Sequence, residues 1–148
     1  MVVGGVAAGM SAASRARRLR PDVEIVVFEK GGDVSYSACL LPYFVSGLIP
    51  SREELVQYEA DFFRNERHMD VRLNTPVTAL DAVARTVTFR GANGENASLS
   101  FDALVLGTGA TAVKPPLPGI NIPGVTTLRT LADGERLRER VESGGVGK

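Results

Sequence analysis

Met1-Val2-Val3-Gly4-Gly5-Val6-Ala7-Ala8-Gly9-Met10-Ser11-Ala12-Ala13-Ser14-Arg15-Ala16-Arg17-Arg18-Leu19 is the stretch that decides the fold. Met1 to Val3 reads as a short buried strand, the glycines as a tight turn, and Val6 to Leu19 as a helix. A strand feeding a glycine-rich turn and then a helix is a phosphate-binding device. The turn lets backbone approach a pyrophosphate, and the helix N-terminus offers free N–H groups and positive potential. Small residues fill the first half of the helix, which can therefore lie close to another backbone. Arg15, Arg17, Arg18 and Arg20 fill the second half and suit the negative end of the helix dipole.

Pro21-Asp22 marks a stop and turn. Val23 to Glu29 is a β-branched run, expected to be a parallel strand buried on both faces. Glu29 closes it about 20 residues after the last glycine of the motif, where an acid binds the ribose hydroxyls of a dinucleotide. An acid there favours a free ribose, hence FAD or NAD over NADP. Val6 stands where the G-x-G-x-x-G pattern has its middle glycine, and a side chain there limits backbone approach to the pyrophosphate. A tight strand-to-helix turn without ligand is the alternative.

Farther along, Leu55 to His68 is expected to be helical, with Phe62 and Phe63 toward the core. Val71 to Leu73 and Pro76 to Leu80 read as short strands. Thr86 to Phe89 and Ala97 to Phe101 flank Gly91-Ala92-Asn93-Gly94, a hairpin signal. Ala103 to Leu106 is a further buried strand entering Gly107-Thr108-Gly109-Ala110. A proline-rich loop leads to an amphipathic helix over Leu131 to Glu142, and the chain stops at Gly144-Gly145-Val146-Gly147-Lys148. The order indicates an α/β fold, a Rossmann-like domain with a parallel sheet and a small antiparallel β insertion.

Composition excludes other classes. Seventeen basic residues balance seventeen acidic ones, so nothing asks for nucleic acid or an anionic membrane as partner. The longest apolar runs fall far short of the roughly 20 residues of a membrane span. The N-terminus carries no basic leader or small-residue cleavage site, so no signal peptide is expected. A single cysteine among 148 residues rules out an internal disulfide framework and makes a reducing cytoplasm the expected compartment. No metal-ligand set is expected.

V-V-G-G-V-A-A-G-M-S-A-A-S-R-A-R-R-L, then F-E-K, then S-Y-S-A-C-L-L-P-Y, resembles the N-terminal part of the pyridine nucleotide-disulfide oxidoreductases. Within them it is similar to the single-cysteine branch: coenzyme A disulfide reductases, NADH-dependent persulfide reductases and NADH oxidases. L-V-L-G-T-G-A-T-A-V-K-P-P-L-P-G resembles their second flavin motif. The resemblance implies FAD as cofactor and NAD(P)H as co-substrate. The implied flavin contacts are Gly4, Gly5, Val6, Ala7, Ala8, Gly9, Glu29, Lys30, Val77, Thr108, Gly109 and Ala110. It implies a thiol-substrate site at Ser11, Arg15, Arg18, Ser35 and Arg67, where the arginines pair with coenzyme A phosphates. The nicotinamide-binding and dimerisation domains of such enzymes are absent from residues 1–148. The chain is thus expected to be the N-terminal portion of the FAD-binding domain of a homodimeric protein, inactive alone.

Cys39 is the implied catalytic residue, acting on a small-molecule thiol, disulfide or persulfide. Glutathione-reductase-like members have a second cysteine five positions on, where this chain has Phe44, so the partner sulfur must be external. Pro42-Tyr43 points toward the coenzyme A disulfide and persulfide reductases. Ala38 replaces an asparagine common in that group, and Leu40 a common glycine. A residue range of Leu40 to Ser46, read as helix, would put Cys39 near a helix N-terminus, which lowers a thiol pKa. Oxidation to a sulfenic acid is the oxidase or peroxidase alternative, and a buried cysteine in a non-catalytic dinucleotide-binding module is the third. His68, with no evident partner, is expected to be structural or exposed.

Overall fold

The computed structural model describes residues 1–144; the last four positions of the expected glycine-rich stop, 145–148, lie outside them. The elements are β1 (Val2–Val3), α1 (Ala7–Leu19), β2 (Val26–Phe28), a 3-10 turn (Ala38–Leu40), α2 (Leu41–Val45), α3 (Ala60–Asn65), β3 (Asp70–Arg72), β4 (Val77–Asp81), β5 (Thr86–Arg90), β6 (Asn96–Ser100), β7 (Val105–Leu106) and α4 (Leu131–Glu142). They form two compact units: Met1–Tyr36 with Tyr58–Gly109, and Ser37–Gln57 with the segment from Ala110 onward.

The first unit is built on a parallel sheet of order β3-β2-β1-β7. Val3 lies opposite Phe28 on one side and Leu106 on the other. The chain lays β2 and then β3 to one side of β1 and returns to add β7 on the other. The direction of winding therefore reverses between β1 and β7. In open α/β sheets, ligands bind at the carboxyl ends of strands at such a reversal. The expected antiparallel insertion is a three-stranded sheet, β4-β5-β6. Its hairpin pairs Thr86 with Ser100 and Arg90 with Asn96.

Alternation along β2 explains how both faces of the sheet are buried. Val27 joins Val2, Met10, Ala13, Ile25, Val34, Phe63, Met69 and Val71 in one apolar cluster. Val26 and Phe28 join Val87 and Phe89 in the other. Each fully buried Val or Phe contributes on the order of 1.5–3 kcal/mol. The Phe28 and Phe89 rings meet at 4.7 Å, and the Arg72 guanidinium lies 5.3 Å from the first and 5.4 Å from the second.

In the second unit, Leu41, Phe44, Leu55 and Leu131 are buried. Gly134 lets α4 approach α2: a Cβ there would stand 3.1 Å from Leu41 Cδ2 and 3.5 Å from Phe44 Cδ1. Arg138 lays its guanidinium over Phe44, 4.7 Å from the centroid, and donates to the Ile49 carbonyl at 2.9 Å. A capping box starts α4, with Asp133 N–H donating to Thr130 Oγ1 and Thr130 N–H to Asp133 Oδ2. Burial pushes the Asp133 carboxyl up, but the N–H and hydroxyl of Thr130, the N–H of Arg129 and the Arg136 guanidinium outweigh it and hold it below its ordinary value. None of the helices among the described residues is long and apolar enough to cross a membrane.

Four expected elements are shorter than the sequence suggests, and one of them, the strand expected to be buried over residues 103–106, spans only Val105–Leu106 and is exposed. The strand over residues 23–29 spans Val26–Phe28. The helix over 55–68 is confined to Ala60–Asn65. The fully buried Leu55 gives its carbonyl to the Ser37 N–H at 2.8 Å, a partner outside the segment rather than the residue four places on. The helix over 40–46 is a 3-10 turn followed by the five residues of α2.

Candidate functional site

Three glycines set the turn between β1 and α1. A Cβ on Gly4 would run into the Gly107 carbonyl, and one on Gly9 into the Gly4 carbonyl. One on Gly107 would stand 2.9 Å from Gly9 N. The first turn of α1 is thereby seated directly on the backbone at the ends of β1 and β7. Gly4 also adopts φ +104°, which side chains disfavour. No side chain caps α1, and its first internal N–H bond is Met10 to Val6 O at 3.0 Å. The N–H groups of Ala7, Ala8 and Gly9 are left without partners inside the helix. They lie at the sheet reversal, as an anion seat requires. Val6 is the cap residue itself, φ −102° and ψ −142°. It lines the neighbouring cavity.

Glu29 directly follows β2 and is nearly buried. Its Oε2 accepts the Gly5 N–H at 2.6 Å and its Oε1 the Gly31 N–H at 2.8 Å. A carboxylate oxygen has more than one acceptor site, so both oxygens keep capacity for ribose hydroxyls. The glycine seat and the fixed carboxylate together fit a dinucleotide. Of the other expected flavin contacts, Thr108 and Gly109 follow β7, and Gly109 has φ +67°. Lys30 is exposed. Val77 opens β4 and packs partly buried on the Phe28 cluster. Ala110 belongs to the second unit.

A cavity of about 380 Å³ opens beside α1. Ala7, Ser11, Ser14 and Arg18 line it along one helix face, as their spacing of three and four residues dictates. Ser35, Tyr36, Tyr58, Phe62, Phe63 and Arg67 complete most of the wall, and no carboxylate among the described residues lines it. Ser35 holds φ +53°, uncommon outside glycine, while its N–H donates to the Gly5 carbonyl at 2.9 Å. Four of the five expected thiol-substrate residues thus share one cavity: Ser11, Arg18, Ser35 and Arg67. Arg15 is exposed and is not among the lining residues. Arg17 instead braces the structure, donating to the carbonyls of Pro21, Val23, Arg67 and His68. His68 is exposed, with φ +49°. Tyr58, Ser14 and Tyr36 escape the sequence pattern. Tyr58 and Phe62 have helical spacing, but Tyr58 precedes α3.

Cys39 is a free, exposed cysteine in the 3-10 turn of the second unit. The turn is pinned on both sides of it: Ser37 N–H donates to Leu55 O at 2.8 Å, and Leu40 N–H to Ser37 O at 3.0 Å. The helix that follows is five residues long, so the helix-terminal field expected for the thiol is that of little more than one turn. A solvent-facing thiol on a fixed turn can be reached by an external sulfur.

The sequence pattern of the family described as "Pyridine nucleotide-disulphide oxidoreductase" matches residues 1–144. Its members bind FAD and NAD(P)H. A NAD(P)H sulfur oxidoreductase (CoA-dependent) of Pyrococcus abyssi is 38% identical over 146 residues, 99% of this chain and 32% of that protein. A NADH oxidase of Methanocaldococcus jannaschii is 32% identical over 148 residues, 100% of this chain and 33% of that one. Among solved structures, a NAD-dependent persulfide reductase from A. fulgidus superposes with a TM-score of 0.90 at 38% identity, covering 97% of this chain and 27% of that one. The chain spans about a third of the length of the curated relatives it matches.

Proposed function

Because the chain belongs to the pyridine nucleotide-disulphide oxidoreductase family, we propose that it is the FAD-holding portion of an NAD(P)H-dependent reductase of coenzyme A disulfide, persulfide or polysulfide, acting through Cys39. The carrying observation is the cavity that gathers Ser11, Arg18, Ser35 and Arg67, with no carboxylate of the described residues on its wall. Two guanidinium groups and several hydroxyls suit the phosphates of a nucleotide-bearing thiol. The names of the Pyrococcus and A. fulgidus relatives agree with sulfur chemistry of this kind.

In the proposed reaction the Cys39 thiolate attacks one sulfur of the substrate R–S–S–R. A Cys39–S–S–R bond forms, the substrate S–S bond breaks, and the other half leaves as R–S⁻, taking a proton from water. Two-electron reduction of the mixed disulfide then breaks the Cys39–S–S–R bond, restoring the Cys39 thiolate and releasing the second half as R–S⁻, which takes a proton from water; bound FAD, itself reduced by NAD(P)H in the complete protein, would supply those two electrons. The Ala7, Ala8 and Gly9 N–H groups would hold its pyrophosphate and Glu29 its ribose. The complete protein is proposed to be a cytoplasmic homodimer carrying nicotinamide and dimerisation domains outside residues 1–148.

An oxidase reading, in which Cys39 cycles through a sulfenic acid, is favoured by the name of the Methanocaldococcus relative and by Ala38 in place of a polar residue beside the thiol. Steady-state turnover by the complete protein separates the two. Faster reduction of coenzyme A disulfide or persulfide than of oxygen and peroxide is expected, and equal or faster rates with oxygen would overturn the first reading.

A further inference from the structure

The cavity wall includes an aromatic surface whose inner ring, Phe62, packs against the core and whose outer ring, Tyr58, is not among the residues of that cluster. Tyr58 is half-exposed and stacks on Phe62, with ring centroids 4.3 Å apart and an interplanar angle of 20°. Both rings meet Phe63 edge-on, at 6.0 Å and 5.4 Å, and Phe63 is buried in the core. Arg67 holds its guanidinium 5.3 Å from the Phe62 ring centre. The stack is therefore anchored from behind and open in front, within a cavity whose cations are Arg18 and Arg67.

We propose that Tyr58, backed by Phe62, is the specificity-determining surface that takes the flat base of a nucleotide-bearing thiol. The proposal rests on the cavity being a site for such a thiol and goes further in naming what selects it. Once the phosphates lie against guanidinium groups, the base needs a flat apolar face, and base–aromatic stacking serves any base. Inorganic polysulfide and small persulfides carry no base and gain nothing from Tyr58. The stack thus divides the candidate substrates into two groups.

The test is equilibrium binding of adenosine 3′,5′-bisphosphate and of the matching abasic ribose bisphosphate to the 148-residue chain, to Tyr58→Ala and to Tyr58→Phe, with far-UV circular dichroism as the folding check. The chain is expected to bind the adenosine compound more tightly than the abasic one. Tyr58→Ala should weaken the adenosine compound about tenfold. It should leave the abasic one within about twofold, and Tyr58→Phe should match the unsubstituted chain within the same factor. Equal losses for both compounds would mean that Tyr58 only supports the wall, and no base preference in the unsubstituted chain would deny the stack any role; either overturns the proposal while leaving the cavity as an anion site. If neither compound binds, the nucleotide-thiol site falls and the proposal falls with it.

Discussion

Replacing Glu29 by glutamine changes one oxygen to an amide nitrogen in a nearly buried side chain. Two backbone groups donate to the carboxylate, Gly5 N–H at 2.6 Å and Gly31 N–H at 2.8 Å, each to its own oxygen. Glutamine offers one acceptor oxygen and one NH₂ group, so one of the two donors must face another donor. Gly5 is buried and Gly31 only half-buried. The amide oxygen should therefore stay with Gly5, leaving Gly31 to water. The bond kept loses its charge assistance, about 1 kcal/mol, and the bond broken costs about 1–2 kcal/mol more. The sum is about 2–3 kcal/mol. With a urea slope of about 2 kcal/mol/M the unfolding midpoint should fall by about 1 M at unchanged slope. Circular dichroism without added FAD reads the shift, and amide exchange should quicken at Gly31 before Gly5. A variant within about 0.5 kcal/mol of the parent would refute the reasoning. It would mean that the carboxylate does not hold the turn, and is there for a ligand alone.

Gly107→Ala places a Cβ 2.9 Å from Gly9 N and 3.2 Å from Gly9 Cα, and both are backbone. Overpacking of that kind costs about 1–3 kcal/mol, and a variant with the parent's thermal midpoint would count against the close seating of α1. Thr130→Ala removes the cap of α4 and should cost about 1 kcal/mol, read as lost helicity and a lower urea midpoint. Asp133 has its folded pKa below the unfolded one, so its contribution is complete above the ordinary carboxylate value of about 3.9 and is lost as pH falls through the folded value. Acid titration should release α4 from about pH 4 downward, and Asp133→Asn should show no such step. Cys39→Ser, at an exposed position, should leave stability within about 0.5 kcal/mol and abolish disulfide turnover in the complete protein; retained turnover would mean that Cys39 does not carry the reaction.

What was legible in the sequence was whatever local chemistry determines. The β1–α1 turn announces itself because its glycines are demanded by backbone contacts inside a short stretch. The β5–β6 hairpin does so because Gly91 to Gly94 close it locally. The expected helix over 55–68 fails because a tertiary bond, Ser37 N–H to the Leu55 carbonyl, claims an acceptor that helical periodicity assigns elsewhere. The cavity was half legible. Ser11, Arg18, Ser35 and Arg67 followed from the resemblance, as did Arg15, which the cavity leaves out. Tyr58 did not, because an irregular segment carries it and no period describes where its ring goes. Phe62 was expected to face the core, and it does so while also facing the cavity. Cys39 drew attention only through the S-Y-S-A-C-L-L-P-Y context, since a lone cysteine carries no signal of its own.

Gly4, Gly9 and Gly107 each exclude a Cβ for the sake of one another's backbone, and the uncapped first turn of α1 lies beside them. Inheritance would read these as a single trait. A survey of random variants scored by soluble yield would flag these positions as folding sites, and one scored by yellow colour would flag them as flavin sites. A descendant that abandoned its flavin would go on keeping all three, because its helix would still have to sit on its sheet. Survival of the glycines in a remote lineage therefore testifies to how the chain is packed, whereas the upkeep of the residues lining the cavity would testify to what it still binds.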